Sequence, residues 1–269
     1  MSSFPGRAEL AVPTVYSIMY GRRVPDAFYF WVALNVTRLV PDGETGKIPE
    51  PAVAVGQQFS GIVRVAAAPH DWGPATKLLP TLREETDADT VIITVDDDTY
   101  YHPDTVLDLE AAILERPGHA IVRSCELTHL NASHDPPRWK EWKLDEGLCA
   151  GFMTAYASAA YRRGFFDEAV FDQDAAPDAC RHHDDIWFSG HLWLRGVPVW
   201  ILKPFEHAWP PMYHMPKNRM SISAHPDTNK KQVECLDYWG WLQDQAVRKR
   251  LRRGRATYKQ AGGEPVRKS

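Results

Sequence analysis

Asp96, Asp97 and Asp98 stand side by side in the stretch VIITVDDDTYYHPDTV, residues 91–106. The residues just before them, 91–95, are the Val, Ile and Thr of a packed interior strand. The three acids are therefore expected at a strand's carboxyl end, where α/β sheets bind ligands. Adjacent carboxylates repel one another unless positive charge sits among them, and hard divalent ions such as Mg2+ or Mn2+ take oxygen ligands. The plain alternative is an acidic turn that caps a following helix through His102-Pro103-Asp104, since Asp is a common turn residue. An EF-hand loop does not fit, because the turn Gly and the twelfth-position Glu are missing. A second centre is His182-His183-Asp184-Asp185-Ile186-Trp187. Acids at a helix start are either caps favoured by the helix dipole or groups held rigidly enough for general-base work. A third lies at Asp71, Gly73-Pro74 and Lys77. There the lysine is either a solvated helix residue or a point charge for phosphate.

The elements that must hold these residues alternate. Residues 13–20 carry Val15, Ile18 and Met19 at helical spacing between Pro13 and Gly21, and residues 27–34 read as an aromatic-rich buried strand. Residues 40–51 form a loop dense in Pro, Gly and charge, and 61–68 are a third strand candidate. Then follow a helix at 74–85, on the stripe Leu78, Leu79 and Leu82, the central strand at 91–95, a helix at 103–116 and a strand at 120–123. Periodicity fails over 127–149, where a long loop is expected. The small apolar segment 147–157 is a strand or turn approaching the site, 184–195 a helix, 197–202 a strand and 229–253 a closing helix. Such alternation predicts an α/β fold with a mostly parallel, Rossmann-like sheet flanked by helices. The absence of Gly-x-Gly-x-x-Gly argues against dinucleotide binding.

With 269 residues, 44% of them hydrophobic, the chain can bury a sizeable core. No apolar run is long enough for a membrane span or a signal peptide, so a cytoplasmic location is the default. Cys125, Cys149, Cys180 and Cys235 lie at least 24 positions apart with no Cys-x-x-Cys. Reduced core thiols are expected, with a Cys180–Cys235 bridge left open. Residues 246–269 hold nine Lys/Arg and one acid, a net +8 that leaves −12 on the rest of a chain of net charge −4. A solvated tail is the ordinary reading of this stretch; peripheral contact with an anionic membrane surface is the sharper one. The acidic body disfavours nucleic acid as a partner.

The ordered set Asp71, Gly73-Pro74, Lys77, Asp96 to Asp98 and Asp184-Asp185-Ile186-Trp187 resembles the nucleotide-sugar-binding half of GT-A type glycosyltransferases, near their family 2-like group. The likeness is nearly continuous over 71–104 and weaker from about residue 4 to about residue 235. It implies a GT-A sheet with an irregular acceptor-side half, divided into a nucleotide-sugar-binding half (1–125), an acceptor-binding half (126–245) and a basic tail (246–269). It further implies a nucleoside-diphosphate-sugar donor, UDP-linked, a Mn2+ or Mg2+ ion, a glycan or lipid-linked acceptor and an inverting transfer. Carried over residue by residue, Asp98 is the direct metal ligand, and Asp96 contacts ribose and the metal. Asp97 is structural or lies behind the metal, Asp71 recognises the base and Lys77 meets phosphate. Asp185 is the base, with Asp184 as its rival. His207 is the first choice for a third metal ligand, ahead of His214 and His225, and Trp142 is an acceptor contact. Phe4-Pro5-Gly6-Arg7 resembles a Pro-x-Arg turn of that family, whose preceding strand is expected to be missing or cut short. Two other classes stay open: a metal-dependent phosphohydrolase or nucleotidyltransferase that uses His182 to Asp185 as a second metal shell, and an inactive sugar-nucleotide-binding relative.

Overall fold

The computed structural model describes residues 1–36, 44–126, 129–131, 138–140, 146–149, 151–203, 205 and 227–240. Two sheets carry the fold. In the first, β1 (Ser2–Ser3), β2 (Phe28–Val32) and β3 (Val63–Ala67) lie in the order β1-β2-β3, all parallel. The second contains β4 (Val91–Thr94), β5 (Ala120–Val122), β6 (Gly147–Leu148), β7 (Ala159–Arg162) and β8 (Val199–Ile201), in the order β6-β8-β5-β7-β4. Here β8 runs parallel to β5, while β7 is antiparallel to both β4 and β5. The result is the α/β, Rossmann-like arrangement predicted from the alternation, with two reversed strands in the larger sheet, β6 at its edge and β7 inside it. Strands from both sides of residue 125 build that sheet, so its two halves share one core.

The helices are α1 (Pro5–Ala8), α2 (Val12–Met19), α3 (Glu50–Gln58), α4 (Leu79–Glu84), α5 (Thr105–Glu115), α6 (Asp184–Leu194) and α7 (Thr228–Tyr238). Each buries an apolar stripe. On α5, Leu109, Ala112 and Ile113 cover Ile121 and Ala160 of the sheet. Leu78, Leu79 and Leu82 pack with Ile92, Tyr161, Trp187 and Phe188 in the largest core, and Val15, Ile18, Ala52 and Val55 pack with Phe30 and Val32 beneath the first sheet.

The first strand is cut short, as expected: two residues, Ser2–Ser3, pair in parallel with Trp31 and Val32. Other expectations are corrected. The helix expected over 74–85 is two elements, a 3-10 turn at Gly73–Lys77 and α4, because Pro80 lacks the amide that a continuous helix would use. Helix α3 follows the Pro-rich loop unannounced, with Pro51 in its first turn, and β7 was hidden in an Ala-rich run. The cysteines are not free thiols: Cys125 pairs with Cys149 (Cα separation 5.8 Å) and Cys180 with Cys235 (4.9 Å). The second bridge ties α7 to the 3-10 turn Asp178–His182 that leads into α6. Among the described residues no helix is long and apolar enough to cross a membrane. The basic stretch 246–269, Trp142, His207, His214 and His225 lie outside the described residues.

The packing of α6 against α7 has a pH consequence. His191 is 5% exposed, edge-on to Trp187 and Trp239 at 4.6 and 5.0 Å between ring centres, with no hydrogen-bond partner for Nε2. Burial lowers its pKa to about 4, against a weaker opposing pull from Asp167. Asp167 itself pairs with Arg195. A histidine kept neutral in the fold but free to protonate when unfolded stabilises fully above its unfolded pKa and loses that contribution as pH falls towards the folded one. Unfolding free energy from urea titrations should drop between pH 6.5 and pH 4 by on the order of 3 kcal/mol on this account, and His191→Asn should flatten that slope by one proton. An unchanged slope in the variant would assign the loss to other groups.

Candidate functional site

The strand-end acids are held by the chain's own cations. From the end of the 3-10 turn, Lys77 Nζ reaches 2.5 Å from Asp96 Oδ1 and 3.1 Å from Asp184 Oδ2. It thereby joins the end of β4 to the start of α6. The side chain of Lys77 is 8% exposed. Burial alone would lower its pKa, yet Asp184, Asp96 and Asp185 together raise it well above the ordinary lysine value. Lys77 is therefore a fixed cation. The turn that delivers it is built locally: Asp71 Oδ1 accepts the Gly73 amide at 2.9 Å, Thr76 Oγ1 accepts the Trp72 amide at 2.9 Å, and Gly73 has φ +66°. That left-handed conformation is why a glycine stands there. Asp71 thus shapes the turn, a role its expected contact with a base did not include.

Arg7, on the single turn of α1, makes the second clasp. Its Nη2 lies 2.8 Å from Asp97 Oδ1 and 2.7 Å from Asp98 Oδ2. Ser3 Oγ donates to Asp97 Oδ2 at 2.6 Å, linking the end of β1 to the end of β4. The bond thus joins the ends of two strands that belong to different sheets. Burial pushes the Asp97 carboxyl up to about 6, against the pull of Arg7 and the Ser3 hydroxyl. Tyr101 fixes the strand end from below: its hydroxyl accepts the Asp96 amide at 2.8 Å and donates to the Tyr156 carbonyl at 3.0 Å. The loop itself is pinned to α2, where Thr14 Oγ1 donates to the Thr99 carbonyl and Ser17 Oγ accepts the Tyr101 amide.

At the start of α6 the two acids differ in environment. Asp184 is buried and faces Lys77, but its Oδ2 accepts no hydrogen bond, so the 3.1 Å contact is one of charge rather than a directed bond. Asp185 Oδ1 accepts the Ala155 amide at 3.1 Å. Burial first, and the Asp184 charge second, raise the Asp185 carboxyl well above the ordinary range. Two neighbouring carboxylates with one shared counter-cation do not both ionise readily. His182 and His183 turn away from the acids, His182 to Lys231 and Asp178, His183 to the Thr228 carbonyl. They buttress α7 and do not form a second metal shell.

Lys77, Asp96, Asp184 and Asp185 are thus brought together, and Asp97 and Asp98 adjoin them, clasped by Arg7. Among the described residues no three His, Cys, Asp or Glu side chains converge as a ready metal cage. The donor types nonetheless suit a divalent ion: Asp96 and Asp98 offer hard carboxylate oxygens, and both already hold positive charge. Arg7, Ser3 and Tyr101 were missed. For Arg7 a signal existed, since three consecutive acids need a counter-cation and Phe4-Pro5-Gly6-Arg7 had been singled out, but nothing in the spacing paired residue 7 with residues 97 and 98.

No family model and no curated protein matches the sequence. Solved structures align with the fold. A CMP:2-keto-3-deoxy-manno-octonic acid synthetase complexed with CTP aligns at a TM-score of 0.44 and 9% identity, over 76% of this chain and 87% of the other. A 4-diphosphocytidyl-2C-methyl-D-erythritol synthase from Anaerococcus prevotii DSM 20548 aligns at 0.43 and 10%, over 88% of this chain and 86% of the other. At such identity the likeness is one of fold. The expectation of a glycosyltransferase is corrected to one of fold: neither of these two structures is a glycosyltransferase, and at this similarity neither carries an activity to this chain. An acid-tipped strand with a lysine beside it suits any nucleotide, whichever bond of it is cleaved, so these residue types do not single out sugar transfer.

Proposed function

We propose that the chain is a metal-dependent nucleotidyltransferase. An acceptor oxygen attacks the α-phosphorus of a nucleoside triphosphate, the new P–O bond forms, and the bond to the leaving diphosphate breaks. The observation that supports this reading best is the meeting of Lys77 and Arg7 with four carboxylates, Asp96, Asp97, Asp98 and Asp184, at the ends of β1 and β4. Fixed cations suit phosphate oxygens, and the carboxylates suit a divalent ion that travels with the nucleotide. Asp96 and Asp98 would hold Mn2+ or Mg2+, which bound there neutralises charge on the phosphates. Lys77, anchored by Asp184, would orient the polyphosphate as a point charge. Asp185 would take the proton of the attacking hydroxyl, held in place by the Ala155 amide.

Thermal unfolding with the four ribonucleoside triphosphates, with and without Mn2+, tests the reading. A ligand that binds only the folded state at about a hundred times its Kd adds about 2.7 kcal/mol. Stabilisation that requires the metal is expected, followed by diphosphate release, seen by phosphorus NMR, when acceptors bearing sugar hydroxyls are added. No stabilisation by any nucleoside triphosphate in the presence of Mn2+ would overturn the proposal.

A further inference from the structure

The clasp of Arg7 on two neighbouring carboxylates has no counterpart in the motif that singled out the acids. We propose that Arg7 is a resident counter-cation which a divalent ion must displace, and which is then free to become a ligand of the nucleotide's phosphates. This rests on the nucleotidyl reading of the site. Arg7 Nη2 sits between Asp97 Oδ1 at 2.8 Å and Asp98 Oδ2 at 2.7 Å, so it occupies a position from which an ion would draw its oxygens. Its side chain is 14% exposed and that of Asp98 31%, so Asp98 is the more open of its two acids. Lys77 cannot play the same part, because it is held between Asp96 and the buried Asp184.

Charge counting agrees. Asp96, Asp97, Asp98, Asp184 and Asp185 face Lys77 and Arg7, an excess of three negative charges when all the acids are ionised. Asp184 Oδ2 is buried without a directed hydrogen bond, with the Lys77 ammonium 3.1 Å away, and the excess leaves room for further positive charge. An arriving divalent ion supplies it, and like charges then drive the guanidinium off Asp98. Arg7 is carried by a helix of only four residues with Gly6 before it, and its planar fork matches phosphate oxygens in two-point contact. Metal and triphosphate should therefore bind in a linked way, each favouring the state in which Arg7 has left the acids.

The test is Mn2+ binding to full-length protein without nucleotide, read from the free-ion signal in electron paramagnetic resonance, for the wild type and for Arg7→Met. The variant should bind Mn2+ at least tenfold more tightly, because the competing cation is gone, and at saturating Mn2+ should bind a nucleoside triphosphate at least tenfold more weakly. Equal or weaker Mn2+ binding by folded Arg7→Met overturns the exchange. If the variant does not fold, the wild type still decides: titration with Mg2+ should shift the Arg7 side-chain Nε–H resonance with the midpoint of ion binding, and an unmoved resonance overturns the proposal. The two readings fail separately. Unchanged Mn2+ affinity with retained triphosphate binding removes the exchange and leaves the nucleotidyl reading standing. Tightened Mn2+ binding with no triphosphate bound by either protein supports the exchange as a metal device and removes the nucleotide from it.

Discussion

Lys77→Met should lower the unfolding free energy at neutral pH by about 3–5 kcal/mol, the usual cost of removing one partner from a buried ion pair. The lysine is the counter-charge shared by Asp96 and Asp184, and the Asp184 side chain is 9% exposed. Methionine keeps the unbranched stem and the packing beneath Leu78, so the loss reads the charge and not a cavity. Without the ammonium the neighbouring acids take up protons in the folded state at a pH where the unfolded chain has already lost them. Stability of the variant should therefore rise as pH is lowered from 8 towards 5, the direction expected for carboxyls whose folded pKa lies above the unfolded value. Adding Asp184→Asn should recover much of the loss, since two partners removed together leave less uncompensated charge than one. Chemical denaturation of the two single variants and the double variant gives the coupling directly. A loss of under 1 kcal/mol at pH 7.5 would mean that Lys77 is a solvated cation and that the bridge between β4 and α6 is not what joins the site.

That bridge shows which parts of the molecule local sequence can reveal. A strand rich in Val, Ile and Thr running into three acids, and a helix opening with two, are read from neighbouring residues, because both depend on spacing along the chain. The Leu78, Leu79 and Leu82 stripe placed α4 in the same way, although the start of the segment tightened into a 3-10 turn around Gly73. What spacing does not contain is which cation meets which acid. Lys77 meets Asp184 across 107 positions and Arg7 meets Asp97 across 90, and these pairings are set by the order in which strands lie side by side. The same limit hid the disulfides: Cys125 and Cys149 are joined because the chain returns from β8's neighbour β6 to the end of β5, which no count of cysteines discloses. It also hid β7, whose Ala159 and Ala160 show no alternation because both faces of that strand are covered.

The residue types at the strand end suit a nucleotide but do not choose among its reactions, for a chemical reason. Acids at a strand end and a lysine near phosphate respond to the diphosphate portion that many nucleotides share.

Asp185→Asn should reduce transfer by about 10²- to 10⁴-fold, the usual worth of a positioned acid or base, while triphosphate affinity stays within a few-fold. The amide is a close test of the role. An Asn oxygen can still accept the Ala155 amide that Asp185 Oδ1 accepts at 3.1 Å, so the loop at Ala155–Ala157 keeps its hold on α6 and only proton-accepting power is lost. Asp184→Asn should act differently, because that carboxylate faces Lys77: it should weaken triphosphate binding through a less firmly held lysine. The pH profile separates the two further. Burial and the Asp184 charge raise the Asp185 carboxyl, so a rate that depends on its ionised form should climb with pH above the ordinary carboxylate range. Removing the Asp184 charge removes the second of those causes, and the ascending limb of Asp184→Asn should move to lower pH. Single-turnover rates across pH for both variants settle the assignment. Near-wild-type transfer by Asp185→Asn, or a limb that stays in place when Asp184 is neutralised, would move the base elsewhere and leave the α6 acids with one task, holding Lys77 in position.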